Sequence, residues 1–266
     1  MPAKAINHTA GSDILQIEGL GKNFGGLRAV DAFKLSLTRG ELKGLIGPNG
    51  AGKSTVFNLI SGLYKPNNGR IFLEGEDITG RRPDLIARLG LARTFQTVKL
   101  LAGKSVLETM LTAFFMDYRY NILDAIFQTR RFRQQEASLR QTAVLLLARL
   151  GIDHLQGKIS NELPYGLQRK VSIAAALCLH PKVLLLDEPM AGLMSSEKDE
   201  LTEIILRLKE EFSISIVIVE HDMRIIMNLC DSIAVMNDGR LIAEGTAEEI
   251  RRNQDVIEAY LGKSTV

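Results

Sequence analysis

Gly47-Pro48-Asn49-Gly50-Ala51-Gly52-Lys53-Ser54-Thr55 is the stretch on which the reading of this chain turns. It follows the short apolar run ELKGLI, which begins at Glu41, and it opens onto helical spacing from Lys53 to Ser61, so the order is strand, glycine-rich loop, helix. Glycines let the backbone curl until successive N–H groups point inward, and the helix behind adds the positive end of its dipole. The backbone from Gly47 through Pro48, Asn49, Gly50, Ala51 and Gly52 can therefore hold a nucleotide triphosphate without side chains. In this pattern Lys53 bridges the β and γ phosphates, the Ser54 hydroxyl ligates Mg²⁺, and Thr55 touches the α phosphate. A glycine-rich turn with no ligand would leave Lys53 pointing at nothing.

Two further strand ends carry chemistry. The run Val183 to Leu186 (VLLL) ends in Asp187-Glu188-Pro189, and ligands of open α/β sheets bind at the carboxyl ends of strands. Asp187 is placed to hold the hydration shell of Mg²⁺, and Glu188 to accept a proton from the attacking water. A second apolar strand, Ile214 to Val219, ends in Glu220-His221-Asp222. A lone His at a strand end is ordinarily structural. Here it repeats the position of Asp187 on a neighbouring strand, which puts His221 at the same γ phosphate.

Continuous apolar runs of this kind suit parallel strands covered on both faces by helices. Ile14 to Phe24, Ala32 to Leu37 and Arg70 to Leu73 read instead as antiparallel strands, with a turn at Lys65 to Gly69. From about Leu101 to Gly151 the pattern is helical, opening on the capping box Ser105 to Glu108. Helices are expected again at Leu167 to Leu179, stopped by His180-Pro181, and at Ser196 to Phe212. A hairpin turn at Asn237-Asp238-Gly239 and a second capping box at Thr246 to Glu249 close the chain. The expected architecture is α/β: a P-loop NTPase core with an antiparallel β lobe and a helical lobe. Residues 1–12 read as a disordered tail and 13–266 as one ATPase domain, with a helical subdomain over about 97–180.

Composition narrows the class. The chain has 266 residues, 45% hydrophobic and 24% charged, enough for a sizeable core and unlike a disordered protein. A net charge of +2 gives no broad electrostatic footprint, and no nucleic-acid partner is expected. No apolar run approaches the roughly 20 residues of a spanning helix, and the polar N-terminus lacks the core of a secretory signal. A cytoplasmic protein is expected, with any membrane role borrowed from a partner. Cys178 and Cys230 sit in apolar segments and read as core residues.

Together these motifs resemble the ABC-type ATPases over residues 14 to about 261. The resemblance implies two ATP molecules sandwiched between two such subunits, the phosphate loop of one facing the signature helix of the other. It assigns Gln96, in ARTFQ, to the loop that contacts Mg²⁺ or the water and reports nucleotide state to a membrane subunit. It matches Leu163-Pro164-Tyr165-Gly166-Leu167 to the signature usually written LSGGQ, so Tyr165 and Gly166 would meet the partner's ATP. Pro164 stands where the family has serine, and Leu167 where it has glutamine. Phe24 takes the place of the adenine-stacking aromatic; a strand-face core residue is the other reading of it.

Within the family, GLIGPNGAGKST, the stretch from EGEDITG to ARTFQ, the helical insertion through Arg131 and the terminal AYLG look like the ATP-binding subunit of branched-chain amino-acid importers. That likeness implies a second ATPase, two membrane permease subunits, an extracytoplasmic solute-binding protein, and a peripheral place on the inner face of the membrane. Rival readings are an exporter ATPase of the lipopolysaccharide type and a soluble ABC protein acting on ribosomes or DNA. The segment Asp117 to Arg133 holds Tyr118, Tyr120, Arg119, Arg130, Arg131 and Arg133. It reads either as a surface near lipid headgroups or a membrane subunit, or as a solvated helix face.

Overall fold

The computed structural model describes residues 13–94, 100 and 102–261, the side chain of Leu261 excepted. The N-terminal tail and Gln96 lie outside the described residues. In chain order the elements are β1 (Asp13–Phe24), β2 (Leu27–Thr38), β3 (Leu42–Ile46), α1 (Lys53–Ile60), β4 (Asn68–Leu73), β5 (Glu76–Asp77), α2 (Pro83–Arg88), β6 (Leu91–Arg93), α3 (Val106–Ala113), α4 (Ile122–Ile126) and α5 (Arg130–Arg149). There follow α6 (Tyr165–Leu177), β7 (Val183–Asp187), α7 (Ser195–Phe212), β8 (Ser215–Val219), α8 (Met223–Leu229), β9 (Ser232–Asn237), β10 (Arg240–Gly245), α9 (Ala247–Arg252) and α10 (Gln254–Leu261).

Every residue of β3, β7 and β8 is buried, as unalternating aliphatic runs require. They form one sheet in the order β10-β9-β3-β8-β7-β6, parallel throughout except for the β9–β10 hairpin. The pleat sorts its side chains by parity. Leu45, Val183, Leu185, Val217 and Val219 pack with α1 and the β lobe, while Ile46, Leu184, Leu186, Ile216 and Ile218 pack with the helices of the other face. Each such burial contributes about 1.5–3 kcal/mol. The β lobe is the antiparallel sheet β2-β1-β4-β5, with Leu15, Leu20, Phe33 and Leu37 fully buried.

Register is what makes the site. Val219 of β8 is level with Asp187 of β7 on one side and with Leu45 of β3 on the other. The chain therefore leaves three adjacent strands at one height, bringing the phosphate loop, Glu188 and His221 to the same edge.

Several boundaries differ from the sequence reading, each for a local reason. The helical stretch expected over about 101–151 is three helices. Phe114 turns inward and ends α3, an Asn121–Asp124 capping box starts α4, and Thr129 caps α5. α6 starts at Tyr165, two residues earlier than Leu167. Pro164 (φ −51, ψ 147) fits the cap, where its missing N–H leaves no helical bond unmade. It ends at Leu177, and His180 in a left-handed conformation (φ 49) blocks continuation. Asn68, taken as part of a turn, already pairs with Gly21 in the sheet, and β2 begins at Leu27, five residues before Ala32. β6 and α8 are too short for a periodic signal, with three and seven residues.

No helix among the described residues is long and apolar enough to cross a membrane. Cys178 and Cys230 are free, and burial pushes both thiols up from their ordinary range.

Candidate nucleotide site

Geometry of the loop follows from its glycines. Gly47 adopts φ 151, and a Cβ there would stand 2.1 Å from the carbonyl oxygen of Met236; Gly52, at φ 102, would meet the carbonyl of Ala29 at 2.5 Å. Only glycine lets β9 and the start of β2 come so close. They come that close because the Gly239 N–H donates to the Ala51 carbonyl (3.0 Å) and the Asp31 N–H to the Gly239 carbonyl (2.9 Å), lacing the loop to the hairpin turn and to β2.

A cleft of roughly 600 Å³ opens above the loop, lined by Phe24, Asn49 to Thr55, Glu188 and His221. Leu27, Arg28, Ala29, Asp238 and Gly239 complete its rim, and the sequence reading had singled none of them out as ligand residues. Phe24 is 41% exposed at that rim and meets Tyr64 edge-on, centroids 5.3 Å apart, with the Lys22 ammonium 5.3 Å above its ring. It is a ring left accessible, not a core residue.

Lys53 is buried, and its Nζ donates to the carbonyls of Gly47 (2.7 Å) and Pro48 (3.0 Å). Burial pulls its pKa below the ordinary lysine value, and the charge of Glu188 opposes that shift. The ammonium is thus desolvated and held by neutral oxygens, an arrangement that an anion in the cleft relieves.

On the opposite wall His221 Nε2 lies 2.7 Å from Glu188 Oε1. Glu188 follows β7 in a left-handed conformation (φ 47), a strained one for a residue with a Cβ, and its N–H donates to the Val219 carbonyl at 2.9 Å. Glu220 holds the two turns together. Its buried carboxylate accepts from the N–H of Met190 (2.7 Å) and of His221 (3.2 Å). Desolvation raises its pKa, those two N–H groups oppose the rise, and the neighbouring Glu188 charge adds to it.

Asp187 does not line the cleft. It sits behind it, 3% exposed, with Oδ2 accepting from Arg93 Nη2 at 2.7 Å. Arg93 Nη1 also donates to Asn58 Oδ1 (2.8 Å) on α1 and to Ser61 Oγ (3.0 Å) at its C-cap, and its guanidinium lies over Phe57 at 5.5 Å. Asp187 Oδ1 is buried with no hydrogen-bond partner among the described residues. An orphaned carboxylate oxygen at the end of β7 and an exposed serine in the phosphate loop are hard-oxygen donors of the kind Mg²⁺ takes, with few protein ligands and the rest from phosphate and water. No cluster of three or more His, Cys, Asp or Glu among the described residues suits a softer or fully protein-ligated metal.

Arg93 and Glu220 went unassigned in the sequence reading. Their only signal is a charged residue at the end of an otherwise apolar strand. Tyr165 and Gly166 stand at the start of α6 and do not line this cleft.

Known proteins match this arrangement across nearly the whole chain. A family model described as ABC transporter matches residues 30–191, and one described as branched-chain amino acid ATP-binding cassette transporter matches residues 240–265. The chain is 40% identical over 251 residues to the high-affinity branched-chain amino acid transport ATP-binding protein BraF of Pseudomonas aeruginosa, covering 94% of this chain and 98% of that protein. It is 41% identical over 252 residues to the protein LivG of Escherichia coli, described in the same words, with the same coverage. Among solved structures, a nucleotide-free ATP-binding cassette from an ABC transporter superposes with a TM-score of 0.81 at 34% identity, over 94% of this chain and 100% of that one. A cassette in its ADP conformation gives 0.79 at 32%, over 94% and 99%.

Proposed function

Because the chain belongs to the ABC transporter family of ATP-binding cassettes, we propose that it is the ATP-hydrolysing subunit of an importer for branched-chain or related amino acids. The observation that carries the hydrolytic part is the Glu188–His221 pair, 2.7 Å apart, facing the phosphate loop across the cleft. ATP binds by exchanging the two neutral carbonyls on Lys53 for phosphate oxygens, and such charge-assisted bonds are each worth about 1.5–3 kcal/mol. Loop N–H groups from Asn49 to Thr55 take the remaining phosphate oxygens, and Phe24 offers its face to the base. Glu188 accepts the proton of the attacking water. His221, donating toward that carboxylate, fixes its orientation at the γ phosphate. Ser54 and Asp187 would hold Mg²⁺, with Gln96 a further candidate, and when bound it neutralises phosphate charge.

Hydrolysis is coupled to transport through a second cassette, closing so that Tyr165 and Gly166 meet the ATP held by that partner. Two permease subunits and, indirectly, an extracytoplasmic solute-binding protein complete the assembly, with this chain peripheral on the inner, cytoplasmic face of the membrane. The names of the 40–41% identical relatives and the C-terminal match at 240–265 support the amino-acid class.

The test is to purify the intact complex from membranes, identify its subunits and measure ATPase activity with leucine-loaded solute-binding protein. Two permeases, a second cassette and leucine stimulation are expected. An exporter permease in the complex, or stimulation by ribosomes or DNA without a membrane partner, would overturn the importer reading.

A further inference from the structure

The segment between α3 and α5 carries an exposed apolar tip that the nucleotide site does not use. In α4 none of the residues is buried, and Ile122, Leu123, Ile126 and the following Phe127 are 75%, 58%, 66% and 73% exposed. Four large apolar side chains side by side in water are not the scattered exposure of an ordinary surface.

This tip is built to stay in place. Gln135 of α5 accepts from the Arg119 N–H (3.0 Å) and donates to the Asp117 carbonyl (2.6 Å). Tyr120 donates to Glu136 at 2.8 Å and packs edge-on against Phe132. α4 itself is closed by its capping box and by the Thr129 hydroxyl on Asp124 at 2.9 Å. An ordered helix that buries nothing has gained no stability from its own apolar residues.

Arginine dominates the exposed charge of the segment. Arg119, Arg130, Arg131 and Arg133 are all exposed, and none forms an ion pair among the described residues. The guanidinium groups of Arg131 and Arg133 reach only the backbone carbonyls of Arg119 and Gln128. Both acids of the segment are half-buried and already engaged within the protein, Asp117 with His180 and Asp124 with its cap and Thr129. The result is an exposed apolar patch in a segment whose arginines form no ion pair among the described residues.

We propose that this tip is a membrane-contact surface, taking an anionic phospholipid leaflet directly, without a protein intermediary. Exposed apolar side chains next to arginines that no acid neutralises match the chemistry of an anionic leaflet: the aliphatic and aromatic side chains enter the headgroup boundary, and the arginines meet lipid phosphates. The contact orients the cassette on the bilayer independently of its ATP chemistry.

The experiment floats the purified full-length chain with vesicles of phosphatidylcholine, with and without phosphatidylglycerol, at low and high salt. Binding is expected only with phosphatidylglycerol, weakening with salt. A basic residue near an anionic surface is worth roughly fivefold in partition, so Arg130→Gln, Arg131→Gln and Arg133→Gln combined should lower it by roughly a hundredfold. Ile126→Asp with Phe127→Asp should abolish it. All these positions are exposed, and ATP affinity of every variant should equal that of the unaltered chain, which separates this test from the fate of the transport reading. Failure of the unaltered chain to float, equal flotation of the variants, or binding only to detergent-extracted permease subunits would each overturn the proposal.

Discussion

Lys53 and Arg93 are both cations held by hydrogen bonds near the site, and they do opposite work. Lys53 is held by carbonyls that a phosphate can replace, so Lys53→Ala should weaken ATP binding about tenfold to a hundredfold, the value of one charge-assisted bond. Fluorescent-nucleotide titration measures it, and unchanged affinity would remove the phosphate-loop assignment. Arg93 holds one carboxylate oxygen of Asp187 and leaves the other bare. Arg93→Met should therefore raise the Mg²⁺ concentration needed for tight ATP binding by about tenfold while leaving Mg²⁺-free affinity alone, and Arg93→Lys should restore part of it. If titrations with and without Mg²⁺ shift equally, Arg93 is only packing. At this scale the sequence revealed residues whose partners are local. Lys53, Ser54, Asp187, Glu188 and His221 announce themselves by what precedes them in the chain. Arg93 and Glu220 act on residues from other strands, and a three-residue strand gives no period by which to find them.

Strand ends and the loop between them are where element-level strain is concentrated. Gly47→Ala would drive a Cβ into the Met236 carbonyl in a backbone conformation that side chains avoid. We expect a loss of about 1–3 kcal/mol in urea unfolding together with lost ATP binding. A loss of binding with no loss of stability would contradict the close approach. Where β2 hands over to β3, Glu41 bonds the Thr38 N–H and hydroxyl and the Ser232 hydroxyl, with Lys43 alongside. Burial alone would raise its pKa, but the Ser232 hydroxyl, the Lys43 charge and Thr38 together hold it below the ordinary carboxylate value. A depressed folded-state pKa means stability fully present above the unfolded value, about 4.3, and lost as pH falls through the folded one. Glu41→Gln should flatten the acid limb of the unfolding curve, measured by denaturation between about pH 6 and 3; an unaltered limb would show that Glu41 is not the titrating group. Elements with many buried aliphatics were legible as strands, whereas the break between α3 and α5 was not. It depends on Phe114 finding a core and on caps at Asn121 and Thr129, none of which disturbs the helical spacing of the sequence.

At the scale of the molecule, one sheet with its strand ends level at Leu45, Asp187 and Val219 converts three separate motifs into one cleft. The α/β class, the two lobes and the convergence of loop, acid and histidine were readable because parallel strands and their carboxyl ends carry position as well as composition. The helical subdomain expected over about 97–180 contains α6, whose buried residues share one core with the sheet. Pro164 and Leu167 bring neither a serine hydroxyl nor a glutamine amide at those two positions, so, under the proposed pairing with a different second cassette, the two composite ATP sites are expected to turn over unequally.

The most direct measurement is single-turnover hydrolysis by Glu188→Gln, with ATP occupancy and oligomeric state followed in the same samples. Hydrolysis slowed about 10²- to 10⁴-fold, unimpaired ATP binding and accumulation of paired cassettes in ATP are the predicted results. Hydrolysis by Glu188→Gln at the unaltered rate would show that the proton is taken elsewhere and that the pair Glu188–His221 is not the centre of the reaction.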